Sequence, residues 1–364
     1  MNKRQVLIGA GALVLAGAGG SYSEVRRMGS MEDYNASAAA TRAVLAARPA
    51  MRDFIRYATL APNGHNTQPW RFQANEQQIS IVPDFARRTP IVDPDDHHVF
   101  VSLGAAAENL SLACAARGRP GETSFSANGG DSVVFTFSVG AAPEPALFGA
   151  IARRQSTRAD YDGRAVSATD LQILAKAAET PGVDLVLITD RPQMYRARDL
   201  VLAGNSAQLA DPAFVSELKS WIRFSPSQAM TSGDGLFAAA SGNPALPDWL
   251  GPSLFAMVLK PDADNDKYAR QIRSSSGLAV FVSERDDKEH WVRAGRACQR
   301  FALQATALGM KLAFINQPVE VARLRPELAA LVGLPGRRPD IVMRFGYGPT
   351  LPFSARRPVE AVLA

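Results

Sequence analysis

The chain has 364 residues, 46% of them hydrophobic and 21% charged. That is enough for a sizeable core and for about two domains or two half-domains, and it excludes a disordered or fibrous protein. The net charge is +5, but arginine and lysine are spread along the chain with no block of five or more like charges. This argues against a nucleic-acid partner and for a solvated surface with anion-binding arginines.

The first segment, residues 1–35, reads as targeting or anchoring sequence. Lys3-Arg4 precedes an apolar, small-residue run from Val6 to Ala18 and then Gly19-Gly20-Ser21. A basic start and a short apolar core fit an export signal and are too short for a comfortable membrane span. The stretch NKRQVLIG resembles a twin-arginine signal with lysine in place of the first arginine. No A-x-A cleavage site follows, so an uncleaved anchor touching a membrane stays open beside a plain N-terminal arm. The expected location is the cell envelope, periplasmic or membrane-anchored, or the cytoplasm if the segment is not an export signal.

Residues 61–70 read Ala-Pro-Asn-Gly-His-Asn-Thr-Gln-Pro-Trp. Pro62, Asn63 and Gly64 are turn formers, and Asn63 and Gly64 tolerate positive φ. Asn66 and Gln68 each offer one amide acceptor and two donors, and Trp70 adds an indole donor. Pro69 biases Gln68 toward extended backbone. The loop suits a flat polar ligand; a surface turn carrying a packed Trp is the alternative. His65 reads either as a proton donor near such a ligand or as a residue that shapes the turn.

Gln77–Asp84 is a short strand. Asp95–Gly118 is a long alanine-rich helix with apolar residues at i, i+3, i+4 spacing that stops at glycine, and Cys114 within it reads as a small buried residue. Asp95-Asp96 and His97-His98 read as its polar entrance; with His65 and His290 they form no metal-ligand spacing. Asp131–Gly140 is a strand opening on aspartate. Arg154, Ser156 and Arg158 then alternate, which on an extended segment puts them on one side. Two guanidiniums flanking a hydroxyl suit a phosphate, although short arginine clusters also decorate solvated surfaces.

Leu171–Glu179 is an amphipathic helix with Asp170 in its first turn. Val183–Asp190 and Gly277–Glu284 are continuous apolar strands, expected to be buried on both faces. Between them, residues 205–266 have no counterpart earlier in the chain and read as a lid. Trp221, Phe224, Phe237 and Trp249 either cap a ligand or form the lid's own core. Asp286–Gly309, containing Cys298, repeats Asp95–Gly118 at a constant offset of 191 residues, matching at Asp95/Asp286, Asp96/Asp287, Val101/Val292, Gly104/Gly295, Ala106/Ala297, Leu112/Leu303, Ala116/Ala307 and Gly118/Gly309. A second aspartate-led strand, Asp340–Pro349, follows it, then Arg356-Arg357-Pro358. The repeated order of helix, glycine and strand argues for duplication, with residues 36–145 as the first half and 146–364 as the second.

The PNGHNTQPW loop, the RxSxR segment and the terminal Arg-Arg-Pro together resemble the FMN-dependent nitroreductase superfamily. The stretch Ile91–Gly104 and the doubled architecture resemble its Acg-like branch, in which two halves are fused. The resemblance covers residues 45–360. It implies an α+β fold, a three-layer α/β/α sandwich internally duplicated as a fused pseudo-dimer, so that a monomer could suffice. In the family one subunit supplies the RxSxR segment and the other the NxQPW loop. Here the first half keeps only the loop and the second only the arginines, which implies one FMN site per chain between the halves and one decayed site.

On that resemblance Arg154, Ser156 and Arg356 hold the FMN phosphate, with Arg357 a weaker candidate. Arg158 lies near the N1/O2 edge, where a fixed cation stabilises the charge left by two-electron reduction. Pro62, Asn63, Gly64, Asn66 and Gln68 pack beside the ring or ribityl chain, and a residue near Arg270–Arg273 also faces the flavin. The implied activity is ping-pong hydride transfer through flavin N5, with no catalytic side chain, to a small nitro or quinone-like acceptor. NAD(P)H is the donor in the cytoplasm, a redox partner outside it. A flavin-sequestering protein with little turnover is the alternative, and a flavin-free solute-binding envelope domain a third reading.

Overall fold

The computed structural model describes residues 27–128, 130–140 and 144–364. The export or anchor reading of the N-terminus therefore lies, up to residue 26, outside the described residues.

In the first half, α1 (Met31–Thr41) starts at Ser30, whose hydroxyl accepts from the Asp33 N–H. Then come α2 (Met51–Ala58), β1 (Trp70–Ala74), β2 (Gln78–Pro83), α3 (His97–Ala115), β3 (Gly121–Ser126) and β4 (Ser132–Phe137). The four strands form one antiparallel sheet in the order β1-β2-β4-β3. Their side chains alternate as the strand period demands: Trp70, Phe72, Ile79, Ile81, Val133 and Phe135 are buried against α2 and α3, while the other face is polar and open. The first half is thus two layers deep.

The second half runs α4 (Ala168–Ala178), β5 (Val183–Ile188), α5 (Arg191–Leu209), α6 (Pro212–Ser220), β6 (Ile222–Arg223), α7 (Pro226–Ser232), β7 (Leu236–Phe237), α8 (Gly251–Val258), α9 (Pro261–Arg273), β8 (Gly277–Ser283), α10 (Lys288–Ala307), β9 (Lys311–Phe314), α11 (Gln317–Glu320), α12 (Arg325–Leu331) and β10 (Pro339–Gly346). Its sheet has the order β5-β8-β10-β9, again antiparallel. Every residue of β8 and β10 is buried, because α4 and α10 cover one face and α5, α9, α11 and α12 the other. The three-layer sandwich belongs to this half. The expectation that Val183–Asp190 is buried on both faces is corrected: β5 is an edge strand, largely half-buried, and it ends at Ile188.

Both sheets place their strands in the same sequence-relative order, and in each the long helix joins the second strand to the third. Helices α3 and α10 pack on each other at their glycines. A Cβ on Gly104 would lie 2.0 Å from the Val292 carbonyl oxygen, and one on Gly295 would lie 2.0 Å from that of Val101. Val101 and Val292 are themselves counterparts, so the contact is reciprocal, as at a two-fold interface. Gly118 and Gly309, just beyond the two helices, both take positive φ, at 72° and 76°. Helix α3 is long and apolar enough to cross a membrane, but it is buried in the core of the fold.

Candidate active site

The loop after α2 is wound tightly. Positive φ falls on His65 (47°), Asn66 (55°) and Gln68 (55°), whereas Asn63 is extended at −159°. The expectation that Pro69 holds Gln68 in extended backbone is therefore corrected, and the reason is visible in the bonding. The Asn66 amide donates to the Gly235 and Ala355 carbonyls at 3.0 and 3.1 Å, and the Gln68 amide donates to Gly233 O at 2.8 Å. Asn63 Oδ1 accepts the Gln68 N–H at 2.8 Å. Ties to the lid and to the C-terminal segment hold residues 65–68 in a conformation that non-glycine residues otherwise avoid. Trp70 is fully buried in the first-half core.

Gln155 and Thr157 turn inward: Thr157 Oγ1 donates to Gln155 Oε1, and the Gln155 amide bonds the Leu351 backbone in both directions. Arg154 is buried with its guanidinium at Leu60 O, whereas Arg158 reaches the cavity described below. Ser156 bridges Leu312, and the Thr157 N–H donates to Leu312 O at 2.7 Å, which docks the segment on the β9 edge. The buried Arg344 of β10 donates to the Thr157 and Ala159 carbonyls at 3.1 and 2.9 Å. Arg158 is thereby clamped from both sides.

These segments meet at a cavity of about 210 Å³ between the halves. Pro62, Asn63, Gly64, His65 and Arg158 line it. Among the described residues the Arg158 side chain makes no hydrogen bond or ion pair, and burial lowers its pKa. His98 and Glu320 also line it, as do Phe214 and Leu236 of the 205–266 segment and Tyr268 of α9.

The other expected site residues do not line this cavity. Arg154 is buried; its Nη2 donates to Leu60 O at 3.0 Å, while Nε and Nη1 have no acceptor among the described residues. Burial pulls its pKa to about 10, and the Cys298 thiol, on the cavity wall, opposes that. Asn66 and Gln68 are spent on the loop. Arg356 is a correction: its donors go to the carbonyls of Thr59, Leu60, Ala61, Ser354 and Ala355 and to Asn66 Oδ1. It seals the C-terminal end of α2, where carbonyls lack helical partners, and no donor is left for a phosphate. Arg357 bonds Gln68 O and Ala361 O and faces Asp84. Arg270 lies half-exposed beside Asp160, and Tyr268, two residues earlier on α9, faces the cavity in its place.

His65 lines the cavity with its Nδ1 unpartnered among the described residues, and burial depresses its pKa to about 4, so the ring is neutral near pH 7. Burial raises the Cys114 and Cys298 thiols to about 12, which makes both inert. Of the four lid aromatics, Phe237 packs on Tyr34 at 4.5 Å, Phe224 is buried beside Phe255 and Trp249 is exposed. Trp221 lies against Arg87 and Arg223, and none of the four lines the cavity. Sequence reasoning missed His98, Tyr268, Gln317 and Glu320. The Asn316-Gln317-Pro318 run, akin to Gln68-Pro69, was the available signal for the last two.

The residues present fit an anionic, flat cofactor. Among the described residues, a buried arginine with two orphaned donors and a second cation without a partner need an acceptor, and apolar side chains line the cavity beside the second.

No protein-family model matches the chain. A Mycobacterium tuberculosis protein, Rv3131, provisionally named an NAD(P)H nitroreductase, is 25% identical over 329 residues, 86% of this chain and 90% of its own. The likewise provisionally named nitroreductase Acg of the same organism is 22% identical over 86% of this chain and 94% of its own. The resemblance to nitroreductases, Acg among them, thus runs along most of the chain. Among solved structures, an FMN-bound nitroreductase from Desulfitobacterium hafniense aligns with 58% of this chain and 92% of its own at a TM-score of 0.35 and 16% identity. The FMN-dependent nitroreductase NfnB from Mycobacterium smegmatis, in complex with NADPH, aligns with 55% and 86% at 0.36 and 12%. Alignments of this quality add nothing to what the elements already establish.

Proposed function

We propose that the chain is an FMN-dependent oxidoreductase of nitroreductase type, passing a hydride from NAD(P)H, or from a redox partner if the chain is exported, to a small conjugated acceptor. The observation that carries this is Arg158, a cation without a partner among the described residues, on the wall of a cavity shared by both halves. Bound FMN supplies two-electron chemistry. The chain supplies the setting: Arg158, fixed by Arg344, favours negative charge on the reduced ring; Arg154, which does not line the cavity but sits by Cys298 of its wall, keeps two donors without an acceptor among the described residues and is the candidate for the phosphate; Pro62–His65 form one wall; Val101, Ala105, Phe214 and Leu236 exclude water.

Purified protein should be yellow. Arg154→Met and Arg158→Met should each weaken FMN retention, by about 1.5–3 kcal/mol for a lost charge-assisted contact, or roughly 10- to 100-fold in Kd. Colourless protein that fails to take up added FMN would falsify the flavin reading. The sequestering alternative is favoured by the lid, which Asp234 ties to Arg87 of the first half and Arg223. Anaerobically reduced protein mixed with a nitroaromatic or a quinone separates the two: rapid reoxidation marks an enzyme, and reoxidation no faster than by oxygen alone marks a store.

A further inference from the structure

Four ionisable side chains run in unbroken contact from the cavity wall into the core. Glu320 at the end of α11 and His98 in the first turn of α3 both line the cavity, with His98 Nε2 3.5 Å from Glu320 Oε1. The other nitrogen of His98, Nδ1, is 3.1 Å from Nδ1 of His97. His97 Nε2 is 2.9 Å from Asp340 Oδ1, and Asp340 Oδ2 accepts the Ser283 N–H at 2.6 Å. His97 and Asp340 are fully buried. The line crosses the molecule, since the histidines belong to the first half and the carboxylates to the second.

Two ring nitrogens facing each other at hydrogen-bond distance hold one hydrogen between them. An ionised Asp340 requires that hydrogen of His97 be on Nε2. A neutral His97 then presents a bare Nδ1, and His98 must place a hydrogen on its own Nδ1. The proton on His98 Nε2 is the one left free to exchange, and it is at the cavity. Glu320 is held for it by the Gln208 amide at 2.6 Å.

The charged surroundings agree at the two histidines and Glu320, whereas at Asp340 burial opposes the ionised form. Burial opposes a charge on His98, but Glu320 and Asp93 outweigh it and raise its pKa; Arg338 acts against them. Burial, then His98 and Arg338, hold His97 neutral against Asp93 and Asp95. Burial raises Asp340 to about 7, against Ser283, Arg338 and His98. From the cavity side, His65 and His98 favour the ionised form of Glu320, and Arg158 acts on His65. Asp93, His97 and His98 cluster closely enough to suggest a metal. Both Asp93 oxygens, however, accept helix N–H groups of His98 and Val99, and His97 is committed to Asp340.

We propose that His98 is the proton donor of this cavity, with Glu320 holding its Nε2 proton and His97 and Asp340 as positioning residues that fix the hydrogen on Nδ1. The nature of the acceptor rests on the flavin reading: a small molecule that has received a hydride and carries the resulting negative charge on oxygen or nitrogen. In the step the His98 Nε2–H bond breaks and an O–H or N–H bond forms on the acceptor. His98 is left neutral with its hydrogen on Nδ1, and water returns a proton to Nε2. No electrons pass through the relay.

With only four histidines in the chain, imidazole ¹⁵N spectra of the whole protein across pH resolve each ring. The expected result is a neutral His97 protonated on Nε2 and a His98 titrating above the ordinary histidine value. In Asp340→Asn the side-chain oxygen stays on the Ser283 N–H and the new NH₂ faces His97 Nε2. His97 then moves its hydrogen to Nδ1, filling the single place between the rings. The His98 titration should fall by about one pH unit or more, although position 340 does not touch it. Glu320→Gln should lower the His98 titration without changing the His97 tautomer. A wild-type His97 protonated on Nδ1, or a His98 titration indifferent to both changes, overturns the proposal. Should Asp340→Asn fail to fold, the wild-type tautomers and Glu320→Gln decide. These spectra need no cofactor, so their failure is distinct from a failure to bind FMN.

Discussion

Arg158 and Arg356 show how far a single residue can be read. Both sit in motifs that invite an anion, and their side chains are chemically identical. One meets a cavity with no partner among the described residues; the other is consumed by five carbonyls and an amide oxygen. The anion-seeking character of the Arg154–Arg158 cluster was legible because two guanidiniums flanking a hydroxyl suit a phosphate. The fate of Arg356 was not, because most of its acceptors lie nearly 300 residues earlier, at and just beyond the end of α2. His65 carries a prediction at this scale. Its folded pKa, near 4, lies below the ordinary 6.5. Between those values the unfolded chain binds more protons, so His65 adds stability that is complete above pH 6.5 and lost as pH falls through 4. Asparagine also accepts the left-handed backbone at this position. His65→Asn should therefore lose less stability than the wild type between pH 6.5 and 4. The difference should be about 1–3 kcal/mol, at the low end if the cavity wets the ring. His97 acts in the same direction and Asp340 in the opposite one, but both are common to the two proteins and drop out of the comparison. Parallel urea melts at pH 7 and 4.5 that show no difference would refute it.

At the scale of elements, long helices and apolar strands announced themselves through periodicity. Strands β3 and β9 did not, since GETSFS is half-exposed and polar and KLAF is only four residues long. Helix α5 was also missed: its polar residues are spread around it, and its apolar contacts come from elements that follow it in the chain. The Gly104/Gly295 match was visible as a coincidence of spacing, but its cause was not. Each glycine leaves room for the backbone of the opposite helix at a distance no Cβ tolerates. Gly104→Ala and Gly295→Ala should each destabilise the fold by about 3 kcal/mol or somewhat more, the upper range for overpacking. Because either change already drives α3 and α10 apart, the double variant should cost less than the two single changes added together. Denaturant midpoints of the three variants measure this; strictly additive losses would mean that the two contacts are independent.

Across the whole molecule the duplication is geometric but the two sides of the helix pair differ. Ala105 lines the cavity, and its small side chain leaves space there. Its counterpart at the 191-residue offset is Arg296, which with Arg300 brackets the buried Glu108 at 3.0 and 2.8 Å. Nearby, the Gln299 amide donates to Asn109 Oδ1 at 2.6 Å. Where one side of the pair offers a cavity, the other is closed by ion pairs that cost several kcal/mol to break once buried. The expected stoichiometry is therefore one FMN per chain. The loop, the arginines and the lid all come from the same polypeptide, so retention should not depend on a second copy. Released flavin counted against protein mass, with sedimentation at the same dilutions, tests both points. A ratio near one that holds while the protein sediments as a monomer is the expected outcome. A ratio near two, or flavin lost in step with dissociation of an oligomer, would mean that the second side is open or that the site is completed between chains.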